Sequence, residues 1–163
     1  MKNLLLILAL FVVSCASLLG ISNTITTEVD PFTGDTVSFT NKSCGNNFCT
    51  RFKIINKKTS FLYATYQAND WLFVESIQMK IKNTDKQIKL SGTFERDIGY
   101  VSAYGSLVEE KLTVKVDEEL REFIKSSLGK TIIVRFNGKA YVDREFQVSF
   151  DGQWNMYLEN SSG

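Results

Sequence analysis

From Thr36 onward the chain alternates apolar and polar residues with a period of two, in one segment after another. An extended backbone sends successive side chains to opposite faces, so this pattern commits the chain to strands with a covered side. Thr36–Asn41 and Phe48–Asn56 are expected to form a hairpin around Gly45-Asn46-Asn47, a run of turn residues. Ser60–Gln67 is partly apolar on both sides, with Leu62, Ala64 and Tyr66 against Phe61, Tyr63 and Thr65, which suits a strand covered twice. Asp70–Lys82 has the clearest alternation, with Trp71, Phe73, Ile77, Met79 and Ile81 on one face. After a turn at Asn83-Thr84-Asp85, Gln87–Phe94 alternates again with Ile88, Leu90, Gly92 and Phe94 inward. So short a link demands antiparallel pairing. Glu109–Val116 continues with Leu112, Val114 and Val116 inward.

One stretch has a helical period instead. Over 117–128, Asp117 is a good N-cap, Glu118 and Glu119 suit the positive end of the helix dipole, and Leu120, Phe123, Ile124 and Leu128 form one stripe. Gly129 supplies the stop. Beyond it, Lys130–Phe136 and Lys139–Phe150 are expected to pair around a three-residue loop, Phe136-Asn137-Gly138, with the glycine left-handed. That register sets Val134 opposite Ala140 and Ile132 opposite Val142. Trp154–Leu158 is expected to close the core as a strand or short turn. The predicted fold is mainly β, an antiparallel β-sandwich or curled sheet of about seven to nine strands with one α-helix near 117–128.

Two charges interrupt the inward rows. Glu75 falls among the apolar residues of Asp70–Lys82, and Arg144 falls among Val142, Phe146, Val148 and Phe150. A buried, unpaired carboxylate is costly, so either a bulge turns Glu75 outward or a basic partner meets it. Glu75 and Arg144 are therefore expected to meet across the core as a structural ion pair, a device for specificity more than for stability.

The amino terminus has a different character. Lys2 precedes an unbroken apolar run, Leu4–Val13, that is short for a bilayer span. It leads into Val12-Val13-Ser14-Cys15, which resembles the lipobox of bacterial lipoproteins. The resemblance covers only this export signal and implies cleavage before Cys15 with lipid attached to that residue. Two alternatives stay open: ordinary cleavage after Ala16, with small Ser14 and Ala16 at the −3 and −1 positions, and an uncleaved anchor over Leu4–Ile21. All three put the rest of the chain outside the cytoplasm. The expected division is a signal peptide over 1–14, a lipidated start and tether over 15–34, and one β-rich domain over 35–159. By the same resemblance, Ala16 after the cysteine implies an outer membrane in an organism that has two.

Composition narrows the chemistry. The chain has no histidine, so Ser-His-Asp and Cys-His catalysis are excluded, and the commonest zinc ligand is missing. No metal or cofactor is expected. Loss of Lys2 with the leader takes one of 19 basic residues and leaves a balance with the 18 acidic ones. A charge near zero gives no overall field for nucleic acid, and no such partner is expected. Once Cys15 is modified, Cys44 and Cys49 remain as an even pair suited to a disulfide at the hairpin tip. Asp30 and Asp35 lack the dense acidic spacing of a calcium loop.

Gly99–Ser106 combines glycine and serine with Tyr100 and Tyr104, a mixture of adaptable backbone and rigid amphipathic rings that suits a partner-binding loop. The plainer alternative folds those tyrosines back onto the core. Function is expected to be that of a non-enzymatic envelope lipoprotein, held to the membrane by its lipid and binding an envelope protein or cell-wall component. A secreted or anchored inhibitor, or a phage-exclusion factor, is an alternative within binding proteins. A hydrolase built on Glu95 and Asp97 or on Glu109 and Glu110 is the alternative from another class, although such close spacing defines no active-site geometry.

Overall fold

The computed structural model of the protein describes residues 24–102 and 105–161; the leader, Cys15 and Tyr104 lie outside them. The strands are β1 (Ile25–Val29), β2 (Thr36–Thr40), β3 (Ser43–Gly45), β4 (Phe48–Ile55), β5 (Thr59–Ala68), β6 (Ser76–Ile81), β7 (Gln87–Leu90), β8 (Thr93–Ser102), β9 (Gly105–Lys115), β10 (Thr131–Asn137) and β11 (Tyr141–Gln147). Helix α1 (Glu118–Ser127) precedes β10 and α2 (Gln153–Asn160) follows β11. The larger sheet runs β1-β2-β4-β5-β9-β8, with β3 also paired to β4, and the smaller runs β11-β10-β6-β7. Every pairing is antiparallel.

The sheets share one core. Phe48 of the larger sheet meets Phe136 and Phe146 of the smaller, with ring centroids 5.7 and 5.3 Å apart, and Tyr66 meets Phe136 at 4.9 Å. Alternation supplies the rest, with Ile54, Leu62, Leu112 facing Ile77, Met79, Ile132 and Val134. Each such buried side chain contributes about 1.5–3 kcal/mol through its removal from water. The architecture is thus the expected β-sandwich, with helices packed against it.

Helix α1 starts where Asp117 accepts from the Leu120 N–H at 2.9 Å, and it buries Leu120, Phe123 and Ile124. Gly129 ends it at φ 70, packed so closely on Phe150 that an added Cβ would stand 2.0 Å from the ring. Helix α2 replaces the strand or turn expected over Trp154–Leu158. Trp154 and Tyr157 are three apart, so only a helix buries both on one face. Tyr157 stacks on Phe52 at 4.3 Å, and the Trp154 indole donates to Thr50 Oγ1.

Three further expectations are corrected. Residues 25–29, assigned to the tether, form β1 at the edge of the larger sheet. The expected strand Gln87–Phe94 divides at Ser91-Gly92, where the chain passes from the smaller sheet to the larger. A Cβ on Gly92 would lie 2.1 Å from the Thr113 carbonyl oxygen, so this crossing needs glycine. The third concerns β10 and β11. Val134 lies opposite Arg144 and Ile132 opposite Phe146, not opposite Ala140 and Val142. The loop is Gly138-Lys139-Ala140, and Gly138 is not left-handed; its role is close approach, because a Cβ there would meet the Leu72 carbonyl oxygen at 2.3 Å. The observed register keeps the apolar face inward and also brings Arg135 opposite Asp143.

Candidate functional site

Between β5 and β6 the chain must leave the larger sheet and enter the smaller. Strand geometry was expected to begin at Asp70, yet β6 starts only at Ser76. In the intervening segment Leu72 and Val74 are buried while Trp71 is half-buried and Phe73 is exposed. Phe73 has φ 56, a left-handed conformation that costs a bulky residue roughly 1–2 kcal/mol.

The carboxylate of Glu110 on β9 holds that conformation. It is fully buried, and its Oε1 accepts from the N–H groups of Leu72 (2.7 Å) and Phe73 (2.9 Å) while Oε2 accepts from Val74 (2.6 Å). Arg96, directly opposite on β8, donates to Oε2 through Nε and to the Val74 carbonyl through Nη2, both at 3.2 Å. From the other sheet, the Lys139 N–H donates to the Leu72 carbonyl and the Glu75 N–H to the Asn137 carbonyl. Clamped on both sides, the loop has no slack to relax Phe73 toward an ordinary conformation.

What the clamp displays is an aromatic ring among cations. Phe73 is 39% exposed, with Lys139 Nζ 3.9 Å and the Arg96 guanidinium 5.6 Å from its centroid, and Trp71 lies 6.3 Å away. Two residues along β8 from Arg96, and so on the same face, Ile98 is 57% exposed. Backbone strain that surrounding structure over-determines is a mark of functional loops.

The residues singled out from sequence fall around this loop unevenly. Glu75 is exposed, and Arg144 is half-buried and donates to the Asp143 carbonyl; no ion pair joins them. The expected pair is corrected, because the irregular loop takes Glu75 out of the inward row before β6 begins. Arg144 faces inward near Tyr66; burial pushes the Tyr66 hydroxyl above its usual pKa, against the opposing charge of Arg144. Of Gly99–Ser106, residues 99–102 end β8 and 105–106 begin β9, with a register shift between Ile98 and Tyr100. Tyr100 pairs with Leu107 there, its side chain outside the description, as is Tyr104 altogether.

Cys44 and Cys49 are joined by a disulfide across directly opposed positions of β3 and β4. Asn46 and Asn47, at φ 50 and 65, form the two-residue turn that both left-handed residues allow.

Neither candidate carboxylate couple faces itself across a cleft. Glu109 and Glu110 point to opposite faces of the larger sheet. Burial pushes the Glu109 carboxyl up, but hydrogen bonds from Lys42 and Gln67 and the charges of Lys42 and Lys111 outweigh it and hold it below its usual pKa. Glu95 pairs with Lys111, and Asp97 accepts from the Ile98 N–H. One depression, about 620 Å³, is lined by Lys57, Lys58, Asp117, Glu118 and Arg121 among others; the Asp117 carboxylate is occupied as a helix cap. Among the described residues no group of three Cys, Asp or Glu is placed to hold a metal ion, and no helix is long and apolar enough to cross a membrane.

Sequence reasoning named Glu110 only as half of a carboxylate couple and passed over Arg96, although the signal for a buried Glu110 was present. Glu110 shares the parity of Val108, Leu112 and Val114, so it, and not Glu75, is the carboxylate that interrupts an inward row. No protein-family model matches this chain, and comparison with curated proteins and with solved structures gave no match.

Proposed function

We propose that this chain is a non-enzymatic binding protein of the bacterial envelope, exported by its leader, held to the membrane by lipid on Cys15, and engaging a protein partner through the Phe73 loop. The lipobox-like Val12-Val13-Ser14-Cys15 supports the placement, and the disulfide suits an oxidising compartment. The observation that carries the binding role is Phe73 itself. A left-handed aromatic held by a buried carboxylate is rigid before any partner arrives, so little ordering cost remains on association. Its ring and the neighbouring Trp71 supply apolar contact area, while Lys139 and Arg96 favour acidic or carbonyl groups on the partner. The adjacent β8–β9 hairpin, where Tyr100 sits, widens the surface toward the edge of the sheet.

A photo-crosslinking residue replacing Phe73 in cells of the native host tests this reading. A discrete protein adduct is expected from position 73 and none from position 87 on the smaller sheet. Equal labelling at both positions would refute a specific surface. Mass spectrometry of the mature terminus, with and without Cys15→Ser, checks the anchor: a lipidated cysteine is expected, and a free terminus at Ser17 would remove that part.

A further inference from the structure

The outward face of the larger sheet carries a pattern that the Phe73 loop does not use. Strand pairing aligns Phe39 of β2, Lys53 of β4, Phe61 of β5 and Lys115 of β9 in one row across the sheet. The row thus alternates ring, cation, ring, cation. In the neighbouring row Arg51 lies opposite Tyr63. The Arg51 guanidinium covers the Phe39 ring at 4.5 Å and Lys53 Nζ lies 5.8 Å from it. The three rings are half-buried, while Arg51 and Lys115 are exposed.

The acidic groups of this face stand at its margins or are engaged. Glu109 and Glu95 are paired with Lys42 and Lys111, Glu28 lies on the edge strand β1, and Asp97 on the edge strand β8. Lys53 also acts on Asp30, whose carboxyl the Phe32 and Thr33 N–H groups hold below its usual pKa, without forming an ion pair with it. The centre of the face is therefore cationic although the whole chain is close to neutral.

We propose that this face binds an anionic polysaccharide, a chain of sugar rings bearing spaced carboxylates. Lys53 and Lys115 lie two strands apart, roughly 10 Å, with Phe61 between them. That spacing fits a polymer whose charges are separated by apolar ring faces. It fits a nucleic acid poorly, because a duplex carries a phosphate for about every 3.4 Å of helix axis on each strand, a charge density that asks for more cations than this row holds. Sugar faces lie on Phe61 and Tyr63, and the cations meet the carboxylates between them.

The test uses the full chain in detergent, with polygalacturonate as probe and dextran, polyphosphate, oligodeoxythymidine and anionic lipid vesicles as comparators. Polygalacturonate is expected to bind, weakening as salt rises, and dextran is not. Lys53→Ser/Lys115→Ser and Phe61→Ser should each weaken binding about tenfold or more. Lys80→Ser/Lys89→Ser, which removes equal charge from the outward face of the smaller sheet, should leave it unchanged. If Phe61→Ser fails to fold, Phe61→Leu keeps the packing and removes the ring. The proposal is overturned if polygalacturonate does not bind, if both lysine pairs matter equally, if Phe61 variants bind as wild type, or if polyphosphate, the oligonucleotide or vesicles bind more tightly through the same residues.

Discussion

Two arginine–carboxylate pairs sit in this protein at equivalent places, and they do different things. Arg96 faces Glu110 across β8 and β9, and Arg135 faces Asp143 across β10 and β11; each couple spans an edge strand and its neighbour. Asp143 and Arg135 point to solvent and form a two-pronged contact at 2.7 Å on both arms. Glu110 points inward, is fully buried, and gives most of its bonding capacity to three backbone N–H groups. The better ion-pair geometry belongs to the exposed couple. Yet a carboxylate becomes structurally decisive when its loss strands other polar groups without water, not when its arginine contact is ideal.

Removing the buried carboxylate should therefore be the most damaging change in the sheet. Glu110→Ala leaves three N–H groups at Leu72–Val74 without their acceptor and Arg96 without its counter-charge, and is expected to lower unfolding stability by about 3–5 kcal/mol. Glu110→Gln retains one acceptor oxygen but turns an NH2 toward an N–H donor, so it should fall between alanine and wild type. Urea titrations of the three proteins check this order. A loss with Glu110→Ala no larger than with Asp143→Asn would erase the contrast between the two pairs.

The same contrast explains what could be read beforehand. Alternation was enough for the sandwich and for Ile77, Met79 and Ile81 as core, and the Asp117 cap with its apolar stripe was enough for α1. The Asn46-Asn47 turn and its disulfide followed from local chemistry as well. The Phe73 loop did not, because its shape is imposed from 37 residues away, where Glu110 bonds the Phe73 N–H. Trp71 and Phe73 alternate correctly with Ile77, and nothing local announces that the chain shifts parity before Ser76. The β10–β11 register was missed for a similar reason. Gly138 looks like a left-handed turn residue in isolation, whereas its need for glycine comes from the Leu72 carbonyl of another segment. Glu75 drew notice for standing in an apolar row, and the residue that truly stands in one, Glu110, lay beside a second glutamate that disguised it.

A link of intermediate weight is the disulfide, which closes a short loop between β3 and β4. Cys44→Ser/Cys49→Ser is expected to cost roughly 2 kcal/mol, chiefly by freeing the unfolded chain, and reductant should have the same effect on wild type. Because the turn is already suited to its conformation by Asn46 and Asn47, the folded hairpin should persist. Amide exchange at β3 and β4 separates the two contributions: faster exchange throughout both strands would mean that the bridge, and not the turn, maintains the pairing.

The smallest expected effect belongs to the exposed pair, and its signature is a pH dependence. The hydrogen bond from Arg135, with the charges of Arg135 and Arg144, outweighs partial desolvation and holds the Asp143 carboxyl below its usual pKa. A carboxylate whose folded pKa lies below its unfolded value, about 3.9, adds stability that is fully present above that value and is lost as pH falls through the lowered one. Asp143→Asn should therefore lie slightly below wild type at neutral pH and converge with it in acid. Raising salt at neutral pH should narrow the same gap, since both groups are in water. Urea midpoints from pH 7 down to about pH 2, at low and high salt, check both slopes. A gap that is large, or that ignores acid and salt alike, would mean that this pair is held as firmly as Glu110 and that burial does not divide them.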